Sequence, residues 1–237
     1  MLRSIKQLIG NALGASDGEI GHVKDFYFDD QKWAIRYVVV ETGRWLAGRA
    51  VLISPHAFGR FHQAEKVLRI RLTRKQIENG PSIDTHKPVS RQYEEEYHRY
   101  YGWPYYWQGD ALWGMSNVPM MELPPVSAPA DSAPAKGPQH CQSAAHLRST
   151  NAVNGYHIKA SDGTSGHVCD FMMDDESWAI AQVIIKTGHR FSGKEVQIPT
   201  GEVERISYDE STVFVNLTSD AVEKSPAHSM VLVGAPY

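Results

Sequence analysis

Residues 2–81 align with residues 147–226 without a gap, and 30 of those 80 positions are identical. The stretch ASDGEIGHVKDFYFDDQKWAI starts at Ala15 and returns as ASDGTSGHVCDFMMDDESWAI at Ala160, an offset of 145 residues. A long period repeated only twice means a duplicated domain, not a solenoid. A chain of 237 residues has room for two domains of this size.

Each copy reads as all-β. Asp17-Gly18 and Asp162-Gly163 are tight-turn signals, and Asp29-Asp30 and Asp174-Asp175 mark a second turn. The runs from Trp33 to Thr42 and from Trp178 to Thr187 are rich in β-branched residues and predict long strands. Val51 to Ile53 and Val67 to Leu72 predict two more; in the latter, Leu68, Ile70 and Leu72 alternate with Val67, Arg69 and Arg71. Short helical turns are expected at 74–79 and 219–224. Five or six short strands in about 80 residues suggest a small barrel. The predicted organisation is therefore mainly β: a barrel over 1–81, a connecting region over 82–146, and a second barrel with a tail over 147–237.

The connecting region has two parts. Residues 119–139 hold many Pro, Ala and Ser and read as a flexible or polyproline-like linker. Residues 91–113, RQYEEEYHRYYGWPYYWQGDALW, carry nine aromatic residues. Ser90 can cap a helix that Gly102 and Pro104 end, with Tyr93, Tyr97 and Tyr100 or Tyr101 in one stripe. So many aromatics cannot all face water. They pack on a barrel, pair with another chain or meet a membrane interface, and packing on a barrel is the first expectation.

The repeat unit resembles the PRC-barrel family, the small β-barrel shared by the cytoplasmic domain of the photosynthetic reaction-centre H subunit and by a ribosome maturation factor. The resemblance rests on the Asp-Gly turn, Gly21-His22-Val23 with Asp25, Asp29-Asp30, the strand Tyr37 to Val40, and TGRWLAGRAVLISP from Thr42 to Pro55. The second copy departs from it at Arg190 and Phe191, and has Pro199-Thr200 where the first has Ser54-Pro55. The resemblance implies two tandem small barrels and assembly or regulatory work on a larger complex. It implies no shared catalytic residues.

The residues themselves point away from catalysis. Asp25 and Asp29 lie four apart on a strand, about 13 Å at roughly 3.3 Å per residue, too far to share one ion without a sharp bend. Asp29, Asp30, Asp174 and Asp175 fit turn roles, as do Asp17, Gly18, Asp162 and Gly163. His22 and His167 follow a Gly in both copies and are expected on a barrel surface. Trp33 and Trp178 open equivalent strands and are expected in a core or at its rim. No glycine-rich phosphate loop precedes a helix. Cys141 and Cys169 are spaced neither as a redox nor as a zinc pair. The expectation is a protein that is not an enzyme, with no metal, cofactor or small-molecule substrate.

Composition adds a location and a charge pattern. Apolar residues make up 42%, and no run approaches 18 apolar residues, so no membrane helix is expected. The first ten residues, MLRSIKQLIG, lack a signal peptide's apolar stretch, and a cytoplasmic protein is expected, peripheral at the inner membrane face at most. Residues 2–81 carry 13 Lys and Arg against 8 Asp and Glu, whereas 147–226 carry 7 against 12. The leading expectation is a non-catalytic docking module for a larger complex, self-associating basic face to acidic face, dimerisation included. Candidate partner-binding residues are Tyr93, Tyr97, Tyr101, Trp103, Tyr105, Tyr106, Trp107, Arg69, Arg71, Arg74 and Lys75. Alternatives are an RNA- or ribosome-associated assembly factor, an acidic-lipid binder, or a reaction-centre-like electron-transfer accessory at the membrane face.

Overall fold

The computed structural model describes residues 1–59, 67–83, 89–120, 147–188 and 193–228. The linker expected over 119–139 lies outside them except for Pro119 and Met120, and so do Cys141, Arg190 and Phe191. The protein is mainly β. The first copy runs β1 (Leu2–Ser4), α1 (Ile5–Leu8), β2 (Ala12–Ala15), β3 (Gly18–Asp29), β4 (Ala34–Glu41), β5 (Ala50–Ile53), β6 (Val67–Arg69) and α2 (Arg74–Glu78). Helix α3 (Arg91–Tyr101) follows. The second copy runs β7 (Leu147–Ser149), α4 (Thr150–Val153), β8 (His157–Ala160), β9 (Gly163–Asp174), β10 (Ile180–Thr187), β11 (Glu195–Pro199), β12 (Val203–Ser207), β13 (Thr212–Val215) and α5 (Ser219–Lys224). Adding 145 to the first copy's numbers reproduces the second copy's element order apart from β12, whose counterpart positions 58–62 lie mostly outside the described residues.

The elements form two sheets. One has the order β5-β4-β3-β2-β6, with β7 on β3; the other has the order β11-β10-β9-β8-β13-β12, with β1 on β9. The compact units follow this pairing. One comprises Gln7–Ser149 with Asp175–Ala179; the other comprises Met1–Lys6, Thr150–Asp174 and Ile180–Tyr237. Each copy's opening strand is thus built into the unit that holds the body of the other copy, a feature that a boundary at residue 81 does not anticipate.

Local chemistry explains the turns. Asp17 accepts a hydrogen bond from the Arg74 N–H at 2.8 Å, and Asp162 accepts one from Ser219 N–H at 2.7 Å. The Asp of each Asp-Gly turn therefore caps the closing helix of its own copy. Asp29 accepts from the N–H groups of Gln31 and Lys32, a side-chain-closed turn. The chain then passes through a left-handed Trp, Trp33 at φ 51° and Trp178 at φ 59° in the second copy. His22 is exposed and His167 half-buried on β3 and β9. The glycine before each is obligatory. Gly21 has φ 145°, and a Cβ there would sit 2.0 Å from the Glu41 carbonyl oxygen; at Gly166 the corresponding distance to Lys186 is 2.3 Å.

The first sheet's core is formed by Phe26, Phe28, Ile35, Val38, Val40 and Ile53, all fully buried. On β6, Leu68 is buried while Val67 and Arg69 are exposed, as the alternation predicts. Gly21→Ala should destabilise the protein by about 2 kcal/mol or more, since both the backbone conformation and the β4 contact resist a side chain. Glu19→Ala, an exposed change two residues earlier, should stay within about 0.5 kcal/mol in the same urea titration.

Candidate functional site

The aromatic segment is seated on the first copy's sheet. Ser90 caps α3 by accepting from Tyr93 N–H, and Gly102 ends it in the left-handed conformation. Glu94, Tyr97 and His98 stand three and four residues apart, so they share the buried face of the helix. The Tyr97 hydroxyl accepts from Ser54 N–H at 3.1 Å and donates to the Leu52 carbonyl at 2.9 Å. One side chain thereby satisfies two backbone groups along the outer edge of β5.

Behind the helix lies a buried charged group. Arg36, 1% exposed, pairs with Asp29 at 3.1 Å and donates to the Leu112 carbonyl at 2.7 Å. Its guanidinium stands 4.0 Å from the centre of the Tyr106 ring and 4.9 Å from that of Trp113. Glu94 accepts from the hydroxyls of Tyr106 and Tyr37, and pairs with Arg91 at 3.0 Å. Trp113 donates its indole N–H to the Ser177 carbonyl at 2.8 Å, and Trp178 packs on Phe58 at 4.8 Å between ring centres.

Burial sets the protonation of this group. It raises the Glu94 carboxyl above its ordinary value, against the opposing pull of Arg91, Tyr106, Tyr37 and Arg36. It also holds the hydroxyls of Tyr37, Tyr97 and Tyr106 well above the usual phenol range. His98 falls to about 4 through burial, opposed by its bond to the Pro104 carbonyl and reinforced by Arg36 and Arg91. That carbonyl, 2.8 Å from Nδ1, fixes the proton on Nδ1 and leaves Nε2 bare 3.2 Å from the Tyr37 hydroxyl, whose one proton goes to Glu94. His56 falls to about 3 through burial, then through His98 and Arg36. Its ring stacks on Trp103 at 5.6 Å and meets Trp113 edge-on at 5.0 Å, while Nδ1 bonds Ser54 Oγ at 2.9 Å. Both imidazoles are therefore neutral at pH 7 and act as flat packing groups with one directed hydrogen bond each.

Sequence reasoning did not single out Arg36, His56, Glu94 or His98. A signal for the first two was present in the alignment of the copies. Where the first has Arg36, Tyr37, Leu52, Ser54 and His56, the second has Ala181, Gln182, Gln197, Pro199 and Gly201. These are positions that meet the aromatic segment in one copy and, among the described residues, have no such cover in the other. In the second copy, the outer edge of β11 is met instead by the chain at 226–228: Gln197 N–H donates to Pro226, and His228 N–H donates to Glu195.

The candidate partner-binding residues divide in two. Tyr97, Trp103 and Tyr106 are buried at 1%, 8% and 2% exposure, because stacking and hydroxyl bonds inside the unit occupy their surfaces. This corrects the expectation that they meet a partner directly. Tyr93, Tyr101, Tyr105 and Trp107 are half-buried. Arg69, Arg71 and Lys75 are exposed on β6, after it, and on α2; Arg74 is half-buried with its guanidinium 4.7 Å from the centre of the Trp45 ring. Among the described residues, no group of three or more His, Cys, Asp or Glu is placed to hold a metal ion. The Cys169 thiol is pushed up to about 12 by burial, then by Glu195 and Asp170, and is not a nucleophile at neutral pH.

Arg36→Ala should cost about 3–5 kcal/mol, since it strands Asp29 and empties the space between two rings. Arg36→Lys should recover only part of this, because an ammonium cannot hold the Asp29 and Leu112 contacts while lying flat against both rings. Exposed Arg44→Ala is the control, expected within about 0.5 kcal/mol by urea titration. The histidines give a pH dependence of known sign. Unfolding returns His56 and His98 from about 3 and about 4 to the ordinary value near 6.5, so the unfolded chain binds more protons between those limits. Stability should therefore fall as pH drops from 7 towards 4. Glu94, raised in the fold, works in the opposite direction above its ordinary value. A His56→Gln/His98→Gln chain should lose less in Tm between pH 7 and pH 5 than the parent does.

The comparisons with known proteins bear on the first copy. No curated protein matches the chain. Among protein families, residues 3–77 match the PRC-barrel domain.

Proposed function

We propose that the chain is a non-catalytic docking module in which the first copy and the aromatic segment present one rigid surface to an acidic protein partner. The observation that carries this reading is the division of charge on the first copy. Of its eight acids, Asp17, Asp25, Asp29 and Asp30 are engaged in caps, turns and ion pairs, while Glu19, Glu41 and Glu78 are exposed. Its bases Arg69, Arg71 and Lys75 stand exposed along β6 and α2, beside the Arg74–Trp45 pair. Charges held on a strand and a capped helix lose little freedom on binding, and complementary potentials set the rate and choice of partner. The half-buried rings of Tyr101, Tyr105 and Trp107 add apolar contact area of the kind that anchors interfaces. The domain kind matched by residues 3–77 is itself non-catalytic. No helix among the described residues is long and apolar enough to cross a membrane.

The test is fractionation of the full-length protein from its native extract. The parent chain should migrate with a protein assembly at about 0.1 M salt and be released at about 1 M, as the Debye length shortens from about 10 to about 3 Å. The Arg69→Glu/Arg71→Glu/Lys75→Glu variant should migrate free at both salts, with its Tm unchanged. Migration with ribosomes that nuclease abolishes would replace this reading with an RNA partner. Capture by anionic vesicles alone would replace it with a lipid one.

A further inference from the structure

The outer halves of β3 and β9 carry a pair of matched strand-docking edges. β2 covers β3 only over Gly18–His22, and β8 covers β9 only over Gly163–His167. The rest of each edge is filled by a strand of the other copy. Leu147, Arg148 and Ser149 pair with Asp29, Phe28 and Tyr27; Leu2, Arg3 and Ser4 pair with Asp174, Met173 and Met172. The two strands have the same sequence, Leu-Arg-Ser, and the two registers are identical once 145 is added. Each edge also fixes its strand through the same side-chain bond. Ser149 Oγ donates to Asp25 and Ser4 Oγ donates to Asp170, both buried carboxylates that also accept the next residue's N–H at 2.7 Å.

We infer that these edges make the chain self-associating: β1 of one chain seats on β9 of a second chain, and the two chains exchange their Leu-Arg-Ser strands. The exchange replaces like with like. All three ladder pairs, the Ser–Asp bond and the Met1 ammonium–Asp174 pair at 2.7 Å are made equally well by a strand from either chain. Exchange of an identical element between protomers is a low-cost route to a dimer. The balance is then set by concentration, because a tethered strand meets its edge at an effective concentration of about 1 mM. The association goes beyond the docking reading and does not depend on it, since none of the exposed bases takes part.

Site-directed cross-linking of full-length chains decides it, with Cys141→Ser and Cys169→Ser as background. Leu2 and Asp174 are register partners, Leu2 exposed and Asp174 half-buried, so both positions tolerate cysteine. A chain carrying Leu2→Cys and Asp174→Cys together should close an internal disulfide with oxidised glutathione when dilute. Failure to close would remove β1 from β9 and overturn the inference. A mixture of the two single variants at about 1 mM should yield a covalent heterodimer joined between positions 2 and 174, in about half of the chains. Dilution a hundredfold before oxidation should abolish it. If the concentrated mixture gives no more heterodimer than Leu2→Cys mixed with Glu223→Cys, which lies on exposed α5 away from the edge, the strands do not exchange and the inference is wrong.

Discussion

A twelve-residue strand with a four-residue neighbour leaves backbone donors and acceptors that must be paired elsewhere. That constraint, met twice in this chain, shapes both units. β3 and β9 each run from an Asp-Gly turn to an Asp-Asp turn. Their first halves are served by the strand before them. Their last halves take a strand from the other repeat, so neither copy finishes its own sheet. Bare edges attract foreign strands, and here the edge is filled by a short segment whose serine is locked to a buried aspartate. The same aspartate orders the following peptide group, so strand docking and strand geometry rest on one side chain.

The outer edge of the sheet is met in a different way in each copy, and the choice has electrostatic consequences. At β11 the cover is backbone from residues 226–228. At β5 it is the Tyr97 hydroxyl, which brings a whole helix with it. A helix laid over a sheet shuts out water, and any polar group beneath must find partners or neutralise. Asp29 and two aromatic faces replace the hydration of the Arg36 guanidinium. His56 and His98 take the other course and stay neutral. Trp103, Tyr106 and Trp113 thus close a polar site.

Much of the fold was legible in the sequence, because the signals were local. The Asp-Gly turns, the β-branched run of β4 and the alternation on β6 each report on a few neighbouring residues. Ser90 and Gly102 report on helix α3 in the same way. The strand exchange was not legible, since Leu2–Ser4 and Leu147–Ser149 are identical and a sequence cannot say which edge an identical strand takes. Burial of Tyr97, Trp103 and Tyr106 was visible only as an excess of aromatics that had to be covered by something. Arg36 and Glu94 were not singled out, because the Leu112 carbonyl and the Tyr37 hydroxyl that they meet lie 76 and 57 residues away in the chain. The difference between copies carried the missing information about Arg36 and His56.

That difference also separates structural demand from surface choice. Positions shared by the copies have shared work: the Leu-Arg-Ser strand, Asp25 and Asp170, Gly21 and Gly166, the helix-capping Asp17 and Asp162. Positions that face α3 changed together, as expected when one cover replaces another. A third class faces outward. Where the first copy has Arg69, Arg71, Arg74 and Lys75, the second has Phe214, Asn216, Ser219 and Asp220. The elements carrying these residues, β6 with α2 and β13 with α5, occupy equivalent places and are capped in the same way. Replacing four bases by neutral or acidic residues therefore left the scaffold intact. Like charges gathered on one short strand and one helix repel, and the second copy shows that the fold does not require them.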